Sequence, residues 1–444
     1  MSGLAAAPIA GRALQAQERP NILFLITDQQ SQSAMSSNGN PYLRTPAMDS
    51  LAADGVSFSE SYATYPVCSP ARSSWFTGRM PHETGVMKNG LPIKTGMPTM
   101  GEVFRVAGYQ TVYGGKWHLP KSFTGATGFD ELIGGSGRAA AMDEPLASAC
   151  VNFLSQKPRQ PFLLVASFMN PHDVCDWIRA HKGTRSHARS AEYPPAPRNM
   201  AVDPDEPEYI QFHRTAGYNS MSAAVGIAAE WKRDDIRYYI HSYYRLVESV
   251  DRQIERVLAA LRQSGLDENT LVVLTSDHGE GMGAHRWVQK AAFWEETAKV
   301  PLVIAGHGVK RRGVRDEETL VSGLDVLPTI CDYAGVPPLE GVRGSSLRAP
   351  VEGRPLDRSF VVSELADYGG EAREGRMLRT ARYKYVVFNG GRRPEQLFDL
   401  QLDPGEVHNL ARREDAAAVL KGHRAILAEW IRGTQDGFRM PVPG

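Results

Sequence analysis

The chain has 444 residues, with 50 Lys and Arg against 50 Asp and Glu, so its formal net charge is zero at pH 7. At 42% apolar and 23% charged it is globular, and the neutral total excludes partners captured by whole-chain charge, nucleic acid above all. Four cysteines (Cys68, Cys150, Cys175, Cys331) with no Cys-x-x-Cys pair exclude a disulfide scaffold and argue against a structural zinc site.

Residues 1–19 are Ala-rich, with no basic n-region and no true apolar h-region. They read as a disordered leader or, the preferred alternative, as the remainder of a secretory signal that starts upstream. That alternative makes the protein exported and periplasmic, with the cytoplasm as the other compartment.

Four segments then read as buried parallel strands, each running into a polar cluster: Asn21–Thr27 into Asp28-Gln29-Gln30, Tyr109–Tyr113 into Gly114–His118, Pro161–Met169 into Asn170–Asp173, and Leu271–Thr275 into Ser276–Glu280. Near-continuous Val, Ile, Leu and Phe means strands covered on both faces. The longest such run is Asn21–Thr27, far short of the ~18 apolar residues of a membrane span. Asp235–Leu261 has helical apolar spacing and stops at Ser264-Gly265. The expected fold is α/β, a mostly parallel sheet sandwiched by helices. In such sheets ligands bind beyond the carboxyl ends of the strands, where all four clusters fall.

Residues 176–230 are rich in Arg, His, Pro and Ser with little periodicity, which reads as a substrate lid. Arg179 and Lys182 in its basic first part are candidate contacts for an anionic substrate, against the plainer reading of a solvated loop. After the Pro- and Gly-rich stretch 337–355 come short strands at Phe360–Leu365, Met377–Thr380, Tyr383–Phe388 and Gln396–Leu400, then a helix over Ala416–Ile431. The expected division is a leader (1–19), a catalytic domain (20–350) and a small α+β C-terminal subdomain (351–444) with a short antiparallel sheet.

The sharpest signal is Cys68-Ser69-Pro70-Ala71-Arg72, followed by Thr77-Gly78-Arg79. Pro70 suits a first helical turn, so Cys68 sits where free N–H groups favour an anion. A small buried cysteine at a helix start is the bland alternative. Asp28 and Asp277, with Gln29 and His278 beside them, form an oxygen-rich set suited to a hard divalent cation, Ca2+ first, with Mn2+ or Mg2+ as alternatives.

Cys-x-Pro-x-Arg with Thr-Gly-Arg resembles the signature of type I sulfatases in the alkaline-phosphatase superfamily. The likeness runs from about Arg19 to Leu410. It takes in Arg19–Ile22, Gly115–Leu119, Asn170–Asp173, Ser276–Glu280, Gly283-Ala284-His285 with Lys290, Val300-Pro301-Leu302, and Leu397–Leu400 with Asp403–Glu406. The resemblance implies that a separate maturation enzyme oxidises Cys68 to formylglycine, whose hydrate is the nucleophile, and that Arg72 supports it. It implies roles for Lys116, His118, His172 and Lys290 around the sulfate, with His172 or Lys290 as the acid and His172 preferred. It also implies that Asn89 lines the site. Taken singly, His118, His172, His278 and Lys290 each have ordinary structural readings, and their joint occurrence with Cys68 weakens those readings.

The sequence departs from the commoner pattern in having Gln29 where many members have Asp, and His278 where many have Asn. Some bacterial sulfatases and related phosphonate monoester hydrolases share that pairing. The expected activity is hydrolysis of an organic sulfate ester, a sulfated carbohydrate first. The alternatives are a phosphonate monoester or phosphodiester hydrolase and, further off, a non-catalytic sulfoglycan-binding relative. Oligomeric state is not legible.

Overall fold

The computed structural model describes residues 19–120, 127–135, 138–181, 191–215, 228, 231–366 and 374–441. Its strands in chain order begin with β1 (Asn21–Asp28), β2 (Gly55–Phe58), β3 (Ser61–Tyr62), β4 (Gln110–Lys116) and β5 (Asp130–Gly135). They continue with β6 (Phe162–Pro171), β7 (Thr270–Ser276), β8 (Leu302–Gly306), β9 (Val314–Asp316) and β10 (Val321–Ser322). An eight-stranded sheet has the order β5-β4-β6-β1-β7-β8-β2-β9, while β3 and β10 pair separately. The contiguous strands β5, β4, β6, β1 and β7 are mutually parallel, and only the pairings of β8 with β7 and with β2 are antiparallel.

The four strands read from the sequence are thus neighbours in space. Thr27 pairs with Ser276, Asp28 with Pro171, and Gly115 with Ser167, which brings their carboxyl ends to one edge.

Alternation along β1 explains why both faces are covered. Ile22, Phe24 and Ile26 pack on one side with Trp75 and Ile330, and Leu23 and Leu25 on the other with Val250, Ile254 and Val257. Each such buried side chain contributes on the order of 1.5–3 kcal/mol. The helix expected over Asp235–Leu261 runs from Arg233 to Gln263 and buries a stripe at three- and four-residue spacing.

The described residues of the stretch 176–230 include helical segments that its composition does not suggest. It holds the end of a Val174–Ala180 helix and a Glu208–Thr215 helix. Tyr209 of the latter stacks on Phe388 at 4.4 Å, so tertiary burial, not local periodicity, secures that helix. Lys182 and the rest of 182–190 lie outside the described residues, as do 216–227 and residues 1–18 of the leader.

The C-terminal part is an antiparallel sheet of β11 (Phe360–Ala366), β12 (Glu374–Thr380), β13 (Tyr383–Phe388) and β14 (Glu395–Asp399) in that order. The helix Ala417–Thr434 covers it through Leu420 and Leu427. Buried Lys384 ties this sheet to the larger unit, with its ammonium 2.8 Å from Glu295 and 2.7 Å from Glu406.

Candidate active site

Cys68 begins the helix Cys68–Thr77, every residue of which is buried. Two neighbours brace that helix start. The Asn89 carboxamide oxygen accepts from the Ser69 N–H at 2.9 Å, and the Ser69 hydroxyl donates to the His118 carbonyl. Asn89 therefore meets the Cys68–Thr77 helix through that helix's backbone.

One turn on, Arg72 is fully buried and spans the sheet edge. Its Nη2 is 2.8 Å from Asp28, its Nε is 3.0 Å from Asp277, and its Nη1 donates to the Lys116 carbonyl and to Ser167 Oγ. A planar fork is what two separate carboxylates and a carbonyl require. Arg72 thus acts on Asp28 and Asp277. Lys116, the last residue of β4, reaches Asp28 at 2.6 Å. Gly115 before it has φ +90°, and a Cβ there would lie 2.0 Å from the Ser167 carbonyl, so only glycine lets β4 approach β6 at this point.

The Cys68 sulfur lies 3.0 Å from Lys290 Nζ, 3.2 Å from His278 Nε2, and 3.9 Å from both Lys116 Nζ and Asp28 Oδ1. Burial and Asp28 push its pKa up, but Lys116, Lys290 and His278 outweigh them and hold it well below the usual thiol value. Burial alone would lower Lys290, yet the Cys68 thiolate and other neighbours keep it raised. Burial, Lys116 and Lys290 push half-buried His172 well below the ordinary imidazole value.

Asp28, Cys68, Asp277 and His278 are all buried, with ligand atoms within 4.8 Å of one another. Burial and Asp28 push the Asp277 pKa up, whereas Lys116 and its cationic neighbours hold Asp28 down against burial. Arg72 and Lys116 offset part of the charge of these two close carboxylates, yet burial and Asp28 still raise Asp277, so a further cation suits the site. The tautomer of His278 suits the same purpose. Its Nδ1 lies 2.9 Å from the Gly279 carbonyl, which can only accept, so in the neutral ring the Nε2 lone pair, 3.2 Å from the Cys68 sulfur, faces the cluster. These residues fit a divalent cation.

Gln29 joins the group from beneath. Its Oε1 accepts from Lys290 at 3.2 Å, its Nε2 donates to Glu280 at 2.6 Å, and Cys175 touches the amide at 3.4 Å. Glu280 also accepts from the Tyr239 hydroxyl and the Gln289 N–H. Burial pushes the Glu280 carboxyl up, and these donors oppose the rise. The Tyr243 hydroxyl donates to the Gln29 carbonyl at 2.8 Å.

The side chain of His118 is exposed, two residues beyond Lys116. Arg179 is exposed too and pairs with Asp176 at 2.8 Å, so its recorded partner is on its own helix. Sequence reasoning missed Ser167, Tyr239 and Tyr243, and assigned Glu280 no task. The signal available for the tyrosines was their four-residue spacing on the buried stripe, where hydroxyls must find partners.

A family model described as Sulfatase matches residues 20–336, and one described as N-sulphoglucosamine sulphohydrolase, C-terminal, matches residues 283–432. The Delta 4,5-hexuronate-2-O-sulfatase of Bacteroides thetaiotaomicron is 33% identical over 454 residues, covering 97% of this chain and 92% of its own. A solved 2-O GAG sulfatase superposes with a TM-score of 0.88 at 30% identity, covering 96% of this chain and 95% of its own. The phosphonate monoester hydrolase of Agrobacterium radiobacter, at 23% identity and TM-score 0.79, covers 94% of this chain and 96% of its own and shares the fold.

Proposed function

The chain belongs to the sulfatase family, whose members hydrolyse sulfate esters, and from that premise we propose that its substrate is a sulfated carbohydrate cleaved at Cys68. In this reading a separate maturation enzyme converts Cys68 to formylglycine, and its hydrate supplies the nucleophile. The observation that carries the reading is the convergence on one buried atom: Cys68 Sγ lies 3.0 Å from Lys290 and 3.2 Å from His278, at a helix start. The relatives named as a hexuronate-2-O-sulfatase and a 2-O GAG sulfatase support a carbohydrate.

A divalent cation held by Asp28, Gln29, Asp277 and His278, Ca2+ first and Mn2+ or Mg2+ as alternatives, supplies Lewis-acid polarisation when bound. Lys116 and Lys290 aim N–H donors at sulfate oxygens as they gain charge. His172 protonates the alcohol oxygen as its bond to sulfur breaks. An anionic ester near Lys116 and Lys290 would offset two of the charges that, with burial, lower His172. His118 takes the proton whose removal expels sulfate. Export to the periplasm belongs to the same proposal. No helix among the described residues is long and apolar enough to cross a membrane.

Mass spectrometry of the Cys68 peptide, after expression with a competent maturation enzyme, tests the nucleophile; an aldehyde is expected, and a persistent thiol overturns it. A substrate panel tests the class: turnover of sulfated saccharides is expected, and turnover of aryl or choline sulfate alone overturns the carbohydrate. Phosphonate monoester hydrolysis is the second reading, because related phosphonate monoester hydrolases share the Gln29 and His278 pairing with some bacterial sulfatases. The ratio of kcat/KM for sulfate and phosphonate esters with matched leaving groups decides between them.

A further inference from the structure

Gln29 places an amide between Lys290 and Glu280, and an amide has two unlike ends. Its oxygen accepts and its nitrogen donates, so a reversed amide is a different group to its neighbours. Here the two sides impose opposite demands. Lys290 Nζ, which can only donate, lies 3.2 Å from one end. The Glu280 carboxylate lies 2.6 Å from the other. Glu280 is fully buried and is held by the Tyr239 hydroxyl and by the Gln289 N–H, which leaves it no freedom to turn away.

We propose that Glu280 is a positioning residue that locks the Gln29 amide with its oxygen toward Lys290 and the Asp28–Asp277 pair, and so moves one negative charge of the site a layer back from the sulfate. This rests on reading Asp28, Gln29, Asp277 and His278 as the cation site. A carboxylate at position 29 would face the anionic ester directly. With glutamine there, the cation and Lys290 meet a neutral oxygen, and the charge that helps balance Arg72, Lys116 and Lys290 stands behind it at Glu280. Glutamine at 29 therefore needs an acceptor at 280, and a carboxylate at 29 would need a donor there.

That reciprocity gives an isosteric exchange test. The readouts are the Tm shift produced by added Ca2+ and by added Mn2+, and kcat and KM on a sulfate ester. Glu280→Gln sets two amides end to end, and Gln29→Glu sets two carboxylates together. Each single variant is expected to weaken cation affinity about tenfold to a hundredfold, the range typical of lost support behind a metal ligand. The exchange variant Gln29→Glu/Glu280→Gln restores complementary ends with the direction reversed. It is expected to recover cation affinity to within about threefold of the parent by the same standard. Its KM is expected to stay raised, because the carboxylate now meets the substrate.

Recovery of the cation shift with a raised KM supports both parts. An exchange variant no better than the worse single variant overturns the lock, as does a Glu280→Gln protein that binds both cations like the parent. Recovery with a parental KM overturns the charge displacement. Misfolding is separated by the Tm without added cation, which the exchange variant holds near the parent's. If the parent's Tm moves with neither cation, the proposal falls with its cation site. A parent that shows the shift but turns over no sulfate ester sinks the functional reading alone.

Discussion

The ammonium of Lys290 lies 3.0 Å from the sulfur of Cys68 although the two residues are 222 positions apart in the chain. Between them run the four strands β4 to β7 and the long helix Arg233–Gln263, and the order of the sheet closes the distance. The contact stabilises an anion at position 68.

Removal of divalent cations by a chelator is expected to abolish turnover and lower the Tm, with both restored by added Ca2+ or Mn2+. A ligand at a hundred times its Kd stabilises by about 2.7 kcal/mol. Burial and Asp28 raise the Asp277 pKa, and a cation needs that carboxylate deprotonated, so apparent affinity should rise with pH. Calorimetric titration at pH 5.5 and 8 checks it, and equal affinity at the two values contradicts it.

Arg72→Lys keeps the charge but loses the fork that joins Asp28 to Asp277. Breaking a fully buried pair of this kind costs about 3–5 kcal/mol. Denaturant unfolding of the variant should show a loss of that order, with kcat/KM down by more than about a hundredfold as the two carboxylates separate.

His172→Ala separates proton donation from binding. Turnover of esters with poor alcohol leaving groups is expected to fall by about a hundredfold to ten-thousandfold, while 4-nitrophenyl sulfate, whose leaving group needs no proton, falls far less. Lys290→Ala should depress both substrates alike. Equal losses for the two substrates in His172→Ala would move the acid role to Lys290.

At the junction with the C-terminal sheet, the His82 ring pairs with buried Glu364, whose second oxygen accepts from the His82 N–H at 3.0 Å. Burial would lower the His82 pKa, but the hydrogen bond and charge of Glu364 raise it overall. A raised folded pKa gives stability that is complete below the ordinary histidine value of about 6.5 and is lost as pH rises through the folded value. The Tm difference between the parent and His82→Gln should therefore be larger at pH 5.5 than at pH 8.5. A difference that grows with pH reverses the sign and excludes the pair as its source.

The sequence by itself determined the strands and the main chemical groups. Continuous apolar runs ending in Asp28, Lys116, His172 and Asp277 are local features, and burial on both faces leaves a strand no other pattern. It also determined Cys68 at a helix start, because Pro70 and the residues around it act within one turn. Tertiary structure decided what those groups touch. Arg72 bridges two carboxylates because β1 and β7 are adjacent, a matter of strand order and not of spacing. Arg179 is tied to Asp176, and the helix Glu208–Thr215 forms because Tyr209 finds Phe388. Glu280, Tyr239 and Tyr243 acquired their tasks only when the fold placed Gln29 among them. Local order follows from steric and apolar periodicity, which a sequence carries in full. The orientation of a buried amide follows from donors and acceptors that meet only once distant segments have packed.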